Sequence, residues 1–177
     1  KDGCEKRRFL SGITPEGHTA FSDTPLKLCQ KVITVEDAYG GASSVIMTVL
    51  RKRALEAGCT IYVCPCAIHP MGKIDHIIIP EKSIAFCTTG PKLKIESQSQ
   101  RKIHARRFKN TAELREYSER LKFNKRASDE LLKAACETLY EAKKVHDRIE
   151  SYYVSAMDFE KCKKYQKDIL SGILKRL

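Results

Sequence analysis

The stretch VITVEDAYGGASSVIMTVLRKRALEAGC, residues 32–59, decides the fold. It opens with a short apolar run rich in β-branched residues, and a loop with two adjacent glycines follows. From residue 42 to 57 the apolar side chains recur at helical spacing, which predicts a helix, and Gly58 stands where such a helix ends. A strand, a glycine-containing loop and a helix, in this order, are the layout of a phosphate-binding loop.

The loop departs from the phosphate-binding pattern G-x-x-x-x-G-K-[ST]. Gly41 and Ser43 match it, whereas Glu36 replaces the first glycine and Ala42 replaces the lysine that reaches the β- and γ-phosphates. The candidate phosphate-binding residues open the helix: Gly40, Gly41, Ala42, Ser43 and Ser44. Ser43 is also the candidate Mg²⁺ ligand. The alternative is a decayed loop that binds nothing, since Glu36 and Asp37 repel a triphosphate.

Size and composition bound the class of protein. The 177 residues suffice for one domain, or one domain with an appendage, and no apolar run is long enough to cross a membrane. Thirty-three Lys and Arg against twenty-two Asp and Glu give a net charge of +11, which suits polyanions or an acidic partner. Eight scattered cysteines without a signal-peptide pattern favour reduced thiols and a cytoplasmic location.

Short apolar runs elsewhere predict further strands at residues 8–13, 18–21, 61–64, 76–79 and 84–88. Strands alternating with a helix favour an α/β three-layer sandwich with a mostly parallel sheet. We expect an α/β core with an N-terminal hairpin over residues 1–110 and a helical extension packed on it over residues 111–177. We also expect the hairpin to join the main sheet, beside the strand at 32–35 or at an edge, because an isolated hairpin is marginal in water.

The second half of the chain is helical in pattern. Apolar or small side chains recur at spacings of three and four: Leu132, Ala135, Leu139, Ala142, His146, Ile149, Tyr153 and Ala156. This stripe predicts one amphipathic helix over about 128–157 that packs along its length on the domain or on another helix. Ser128 is the expected cap of this helix and Asp158 the cap of the last one. A histidine within such a stripe is typical of a core residue, so His146 is expected in the core.

Several segments together resemble a family of bacterial P-loop ATPase-like proteins of uncharacterised function. They are FLSGITPEG (9–17), the strand–loop–helix unit, DHIIIPE (75–81) and AKKVHDRIESYYVSAMDFE (142–160). Members of that family usually carry two P-loop halves, so this chain resembles one half. The resemblance implies an ATPase fold that takes ATP or another phosphate ligand with Mg²⁺, and a second P-loop half or a homo-oligomer as partner.

The same resemblance locates the departures from the family. Its loop resembles G-x-P-G-T-G-K-S-T, so here Tyr39 replaces a glycine, Ala42 the lysine and Ser44 the threonine. Cys87 takes the place of an aspartate that ends the last strand. The implied activity is therefore a weak or absent ATPase with a regulatory or structural role. Asp75 and His76 fall in the family motif and are candidate catalytic residues, or they simply begin a strand.

Two further groups of residues carry open alternatives. Cys64, Cys66, His69 and His76 supply zinc-type ligands, but the spacing C-x-C-x-x-H and Pro65 favour ordinary thiols at a strand end. Residues 91–126 hold twelve Lys or Arg and four Glu, and 92–110 are expected to form a basic excursion. Because few aromatic residues are interleaved, nucleic-acid binding is not favoured. The second function hypothesis is thus an interaction module that binds a protein partner or nucleic acid through long helices and this basic segment.

Overall fold

The chain forms a mixed α/β structure in a computed structural model that describes residues 3–90, 95, 100–108 and 110–175. The described strands are β1 (Cys4–Arg7), β2 (Ser11–Thr14), β3 (Gly17–Ala20), β4 (Lys31–Glu36), β5 (Thr60–Pro65), β6 (Ile74–Ile79), β7 (Ile84–Thr89) and β8 (Gln100–His104). The described α-helices are α1 (Thr24–Leu28), α2 (Gly41–Glu56), α3 (Thr111–Glu116), α4 (Ser118–Ala156) and α5 (Phe159–Leu174).

Six strands form the main sheet in the order β1-β5-β6-β7-β4-β8. The β1–β5, β4–β7 and β4–β8 pairs are parallel, and β6 runs antiparallel to both of its neighbours. Five strands therefore point the same way, which confirms the expected α/β class with a mostly parallel sheet. The carboxyl ends of these five strands and the beginning of β6 lie at the same end of the sheet, which we call its carboxyl edge.

Both faces of this sheet are buried. Successive residues of a strand point to opposite faces, and the central strands carry apolar side chains at both sets of positions. Helix α2 covers one face, over a cluster of buried residues: Val35, Met47, Ala54, Cys59, Ile61, Val63, Ile77 and Ile79. Leu26 of α1 packs against the opposite face, whose buried cluster is Leu10, Cys29, Val32, Cys64, Ile78, Ala85, Cys87 and Ile95. The site residues discussed below are divided between these two faces.

The strand–loop–helix unit predicted from residues 32–59 is confirmed. Strand β4 runs to Glu36, a short loop follows, and α2 begins at Gly41. The helix ends before Gly58, which adopts a φ of 75° and thus the left-handed conformation that favours glycine. The central strands predicted from apolar runs also form, as β5, β6 and β7.

The predicted position of the N-terminal hairpin is wrong. Among the described strands, β2 and β3 pair with each other alone, in a separate two-stranded sheet. The edges of the main sheet are taken instead by β1 and β8, whose polar sequences CEKR and QRKIH gave no apolar signal. Edge strands commonly carry charged side chains, since these discourage further strand pairing. Of the two residues expected inward, Leu10 is buried and Phe9 is exposed.

The long helix begins earlier than predicted and is more exposed. Helix α4 starts at Ser118, so Ser128 lies inside it rather than at its cap. The prediction that its stripe packs on this domain is wrong, because Leu139 is 40% exposed and Tyr153 66%. The cap of α5 is confirmed, since the Asp158 side chain accepts a hydrogen bond from the backbone N–H of Lys161 at 3.0 Å.

The basic excursion is only partly covered by the structure. Residues 92–94, 96–99 and 109 lie outside the described residues. The expectation of an irregular segment fails for the described part, where β8 pairs with β4 and a short 3₁₀ helix (Ala105–Phe108) follows. Across the described chain, helices that combine the length and apolarity of a membrane span are absent.

Candidate functional site

The predicted phosphate loop lies at the carboxyl edge of the main sheet. It follows β4, and the backbone N–H of Asp37 donates to the carbonyl of Thr89 at the end of β7 at 3.2 Å. Strand β6 begins at the same edge, because it runs antiparallel to β7. Open α/β sheets bind ligands at this edge, outside the carboxyl ends of their strands.

The Asp37 carboxylate occupies the N-terminus of α2. Its Oδ2 accepts a hydrogen bond from the backbone N–H of Ser43 at 2.9 Å, and its Oδ1 accepts one from the backbone N–H of Tyr39 at 3.2 Å. Asp37 is only 6% exposed. The N–H groups at a helix N-terminus are the ones that bind phosphate in a phosphate loop. Here one of these groups, the backbone N–H of Ser43, donates instead to a carboxylate of the chain itself.

The other hydrogen bonds of the loop also form between groups of the loop and of the first turn of α2. Gly40 has a φ of 77°, the left-handed conformation, and its carbonyl accepts hydrogen bonds from the hydroxyl of Ser43 at 3.1 Å and the backbone N–H of Ser44 at 3.2 Å. Ser43 is fully buried. Its hydroxyl is therefore directed to the loop backbone and not toward a metal-binding position.

A lysine from another part of the chain reaches the loop. A Cβ atom built on Gly40 would lie 2.8 Å from Nζ of Lys73, so the ammonium passes directly over this glycine. Lys73 precedes β6, and two backbone hydrogen bonds fix its main chain. Its carbonyl accepts from the N–H of Cys66 at 2.9 Å, and its N–H donates to the carbonyl of His69 at 3.1 Å. Its Nζ lies 2.9 Å from Oδ1 of Asp75, and both side chains are largely buried.

Asp75 and Thr88 extend the polar side of the site. His76 pairs with Cys87 in register, so the preceding Asp75 and the following Thr88 are neighbours on the face that α2 covers. Thr88 is 8% exposed, and its hydroxyl makes no hydrogen bond to any described atom. Asp37, which follows β4 with the same alternation, lies on this face as well.

The charges of the site do not fit a nucleoside triphosphate with Mg²⁺. Among the described side chains of the site, Asp37 and Asp75 supply two carboxylates, and Lys73 supplies one ammonium, which is paired with Asp75. The serine hydroxyl that should bind the metal is hydrogen bonded to Gly40. Glu36 adds an exposed carboxylate, paired with Nδ1 of His104 at 2.8 Å. A polyphosphate would meet negative charge where its own charge should be balanced.

His76 is separated from this site by the sheet itself. It points to the opposite face from Asp75, between Cys64 and Cys87 of the flanking strands. It is fully buried, neither ring nitrogen has a hydrogen-bond partner among the described residues, and burial lowers its pKa to about 4. The two candidate catalytic residues are thus not brought together, and His76 is a neutral core residue.

The zinc alternative gains no support from the geometry. Cys64 is buried, Cys66 is partly exposed and His69 is exposed. Among the residues that the structure describes, one group of three possible ligands lies within 4.8 Å of one another, and it is the exposed trio His146, Asp147 and Glu150 on α4. All eight cysteines are free thiols. Burial raises the pKa of Cys64 to about 11, which favours the protonated thiol.

The expected core position of His146 is wrong, because the stripe around it is not covered. Its side chain is 74% exposed, and its Nδ1 lies 3.9 Å from carboxylate oxygens of both Asp147 and Glu150. Asp147 is itself hydrogen bonded to Lys143 at 2.7 Å. These contacts are those of a solvated helix surface.

The structural roles of two residues that shape the site could not be identified from the sequence. Asp37 precedes Ser43 by six positions, beyond the two or three that separate an N-cap side chain from the N–H it binds. Lys73 lies 33 positions after Gly40, in an irregular loop without a motif. Comparison of the chain with family models, with curated proteins and with solved structures found no match.

Proposed function

We propose that this chain is a P-loop NTPase-like domain that does not hydrolyse nucleotide and that serves a structural or regulatory role. One observation carries the proposal: the buried Asp37 carboxylate accepts the Ser43 backbone N–H where a phosphate loop binds its ligand. The strand–loop–helix order and the left-handed Gly40 support the relation to phosphate loops. The Asp37 carboxylate at the N-terminus of α2 supports the part of the proposal that says this loop no longer binds phosphate.

Electrostatics give the size of the effect. Two like unit charges about 4 Å apart repel by about 4 kcal/mol at an effective dielectric constant of about 20. That energy corresponds to about a thousandfold in affinity. A phosphate group at the N-terminus of α2 must either accept this repulsion or displace Asp37 from its hydrogen bonds. Lys73 does not compensate, since its charge is balanced by Asp75 at 2.9 Å.

Calorimetric and thermal-shift titrations with Mg·ATP, Mg·GTP and inorganic phosphate test the proposal on three proteins. The parent chain should bind none of them measurably. Asp37→Ala should gain phosphate binding, because the N–H groups of α2 become available. Asp37→Ala combined with Ala42→Lys should also gain nucleotide binding, because a lysine then reaches the β- and γ-phosphates.

Ala42→Lys alone and Glu36→Gln are the matched controls. The first adds the lysine without removing the buried carboxylate, so its gain should be much smaller than that of the double variant. The second removes an exposed carboxylate one residue away and should bind like the parent. ATP turnover by the parent chain on the order of 1 s⁻¹ or faster, within the usual range of enzymes, would refute the proposal.

A second candidate function is that of an interaction module, favoured by the exposed apolar side chains of α4 and α5. Ile149 is 49% exposed and Ile169 is 61% exposed, and neither helix has a buried residue. Large exposed apolar areas on a protein surface commonly mark interaction sites. Affinity capture with the parent and with Ile149→Glu tests it: a bound protein should disappear with the variant. Nucleic-acid binding, the other form of this hypothesis, should instead weaken steeply with salt.

A further inference from the structure

The second half of α4 is a helical arm. Every residue from 137 to 156 is exposed, which at 1.5 Å per residue is a length of about 30 Å. In proteins most helical stability comes from packing of an apolar face on another part of the structure rather than from helix propensity. An arm with an uncovered apolar face is therefore expected to have a partner.

The uncovered face follows a heptad pattern. We call it the α4 seam, and its residues are Leu132, Ala135, Leu139, Ala142, His146, Ile149, Tyr153 and Ala156. The spacings alternate strictly between three and four, the pattern of helices that pack in coiled-coil fashion. Only Leu132 is partly buried, and the other seven residues are exposed.

The α4 seam is complementary to itself when two copies run antiparallel. A twofold axis beside Lys144 brings together residues equally distant from position 144. Leu132 then faces Ala156 of the second copy, Tyr153 faces Ala135, His146 faces Ala142, and Leu139 faces Ile149. Each bulky seam residue meets an alanine, except at Leu139, which meets Ile149. Two-fold symmetry repeats every one of these contacts, as an isologous interface requires.

The apolar surface is large enough for a dimer. Six large side chains on or beside the seam are between 40% and 72% exposed: Leu131, Leu139, Val145, Ile149, Tyr152 and Tyr153. A fully buried aromatic side chain covers about 150–250 Å² and an aliphatic one less, so the exposed parts of these two tyrosines and four aliphatic residues amount to on the order of 600 Å² per chain. With the alanines and aliphatic stems between them, the contact approaches the ~800 Å² per partner of a stable interface.

From this seam we infer that two copies of the chain associate through antiparallel pairing of α4. The inference deepens the second candidate function by naming a second copy as the partner, and it does not depend on the fate of the phosphate loop. His146 provides one polar seam position near the centre, and polar seam residues restrict the register. A second copy is favoured over an unrelated helix because the order of large and small residues fits its own reversed copy.

Sedimentation equilibrium and light scattering test the inference on the full chain. At concentrations on the order of 100 µM the parent should be a dimer, above the micromolar Kd expected of a modest interface. Ile149→Glu should be a monomer, because it places two carboxylates in the paired seam. Val154→Glu is the matched control: Val154 is 45% exposed, close to the 49% of Ile149, but lies off the seam, so this variant should remain a dimer.

A mixing experiment tests the register. Leu139→Lys and Ile149→Glu should each be monomeric, and an equimolar mixture should dimerise because lysine then faces glutamate across the seam. Each chain in the mixture carries one of the two substitutions, so the lysine and the glutamate can pair only between chains. All variants should keep the parent's cooperative urea unfolding of the α/β core, since the altered side chains are exposed in the single chain and lie outside that core. A monomeric parent, a dimeric Ile149→Glu or a mixture that stays monomeric would overturn the inference.

Discussion

Replacing Asp37 with alanine should destabilise the protein markedly. The carboxylate accepts two backbone N–H groups, from Ser43 at 2.9 Å and Tyr39 at 3.2 Å. Loss of a side-chain cap costs about 0.5–2 kcal/mol, and hydrogen bonds to a charged group contribute about 1.5–3 kcal/mol. Because Ser43 is fully buried, its N–H is left without an acceptor. We expect a loss of about 2–3 kcal/mol.

Thermal and urea denaturation followed by circular dichroism measure this loss. For a chain of this size, 1 kcal/mol corresponds to about 2–4 °C, so Asp37→Ala should lower Tm by roughly 5–10 °C. Asp37→Asn retains an acceptor for Ser43 and should lose about half as much. Glu36→Gln is the control, since its exposed pair with His104 is worth less than about 1 kcal/mol.

Phosphate provides the decisive comparison, because an anion can replace the missing carboxylate at the end of α2. At ten times its Kd, phosphate should restore about 1.4 kcal/mol to Asp37→Ala. The parent should gain only the general stabilisation that such a salt gives any folded protein. The reasoning is refuted if Asp37→Ala unfolds within about 0.5 kcal/mol of the parent. It is equally refuted if phosphate stabilises both proteins by the same amount.

Three further predictions concern a buried histidine, the cysteines and the N-terminal segment. Because burial lowers the pKa of His76 from 6.5 to about 4, the unfolded chain binds more protons below about pH 6.5, and the free energy of unfolding should fall by about 2 kcal/mol between pH 7.5 and pH 5. Urea denaturation at both pH values should show this loss reduced in His76→Leu. Thiol titration should find Cys4 and Cys162 reactive in the folded protein and Cys64 reactive only after unfolding. Deleting residues 1–22 removes an edge strand of the main sheet, so circular dichroism should show no cooperative melting.

Local patterns predicted what depends on local physics. The run before Glu36 and the helical spacing after Gly41 specify a strand and a helix because their side chains alternate or recur with the period of each element. Asp158 was predicted as a cap because its side chain bonds a backbone group three residues away. The class of the fold follows from these elements, since a strand leading through a helix into another strand favours a parallel sheet.

Arrangements between distant parts of the chain could not be predicted in the same way. Strand β8 has no apolar run, because an edge strand needs little apolar surface, and so its place beside β4 was missed. Periodicity in α4 indicates an apolar face but not what covers that face, which explains the wrong expectation for His146. In the candidate site, the sequence indicates that Glu36 and Asp37 both repel phosphate, whereas the structure separates them into an exposed and a buried carboxylate.

The source of negative charge at α2 decides what kind of regulation this core can support. In a phosphate loop the ligand supplies that charge, so the loop has different contacts with and without nucleotide and can couple binding to a conformational change. Here Asp37 supplies it from within the chain, and the bond from Ser43 forms without any ligand. A ligand shifts a conformational equilibrium only by the difference between its affinities for the two states. A loop whose N–H group is already hydrogen bonded to Asp37 gives a phosphate ligand little such difference. A regulatory role for this chain would therefore have to act through another surface, and the exposed apolar seam of α4 is such a surface.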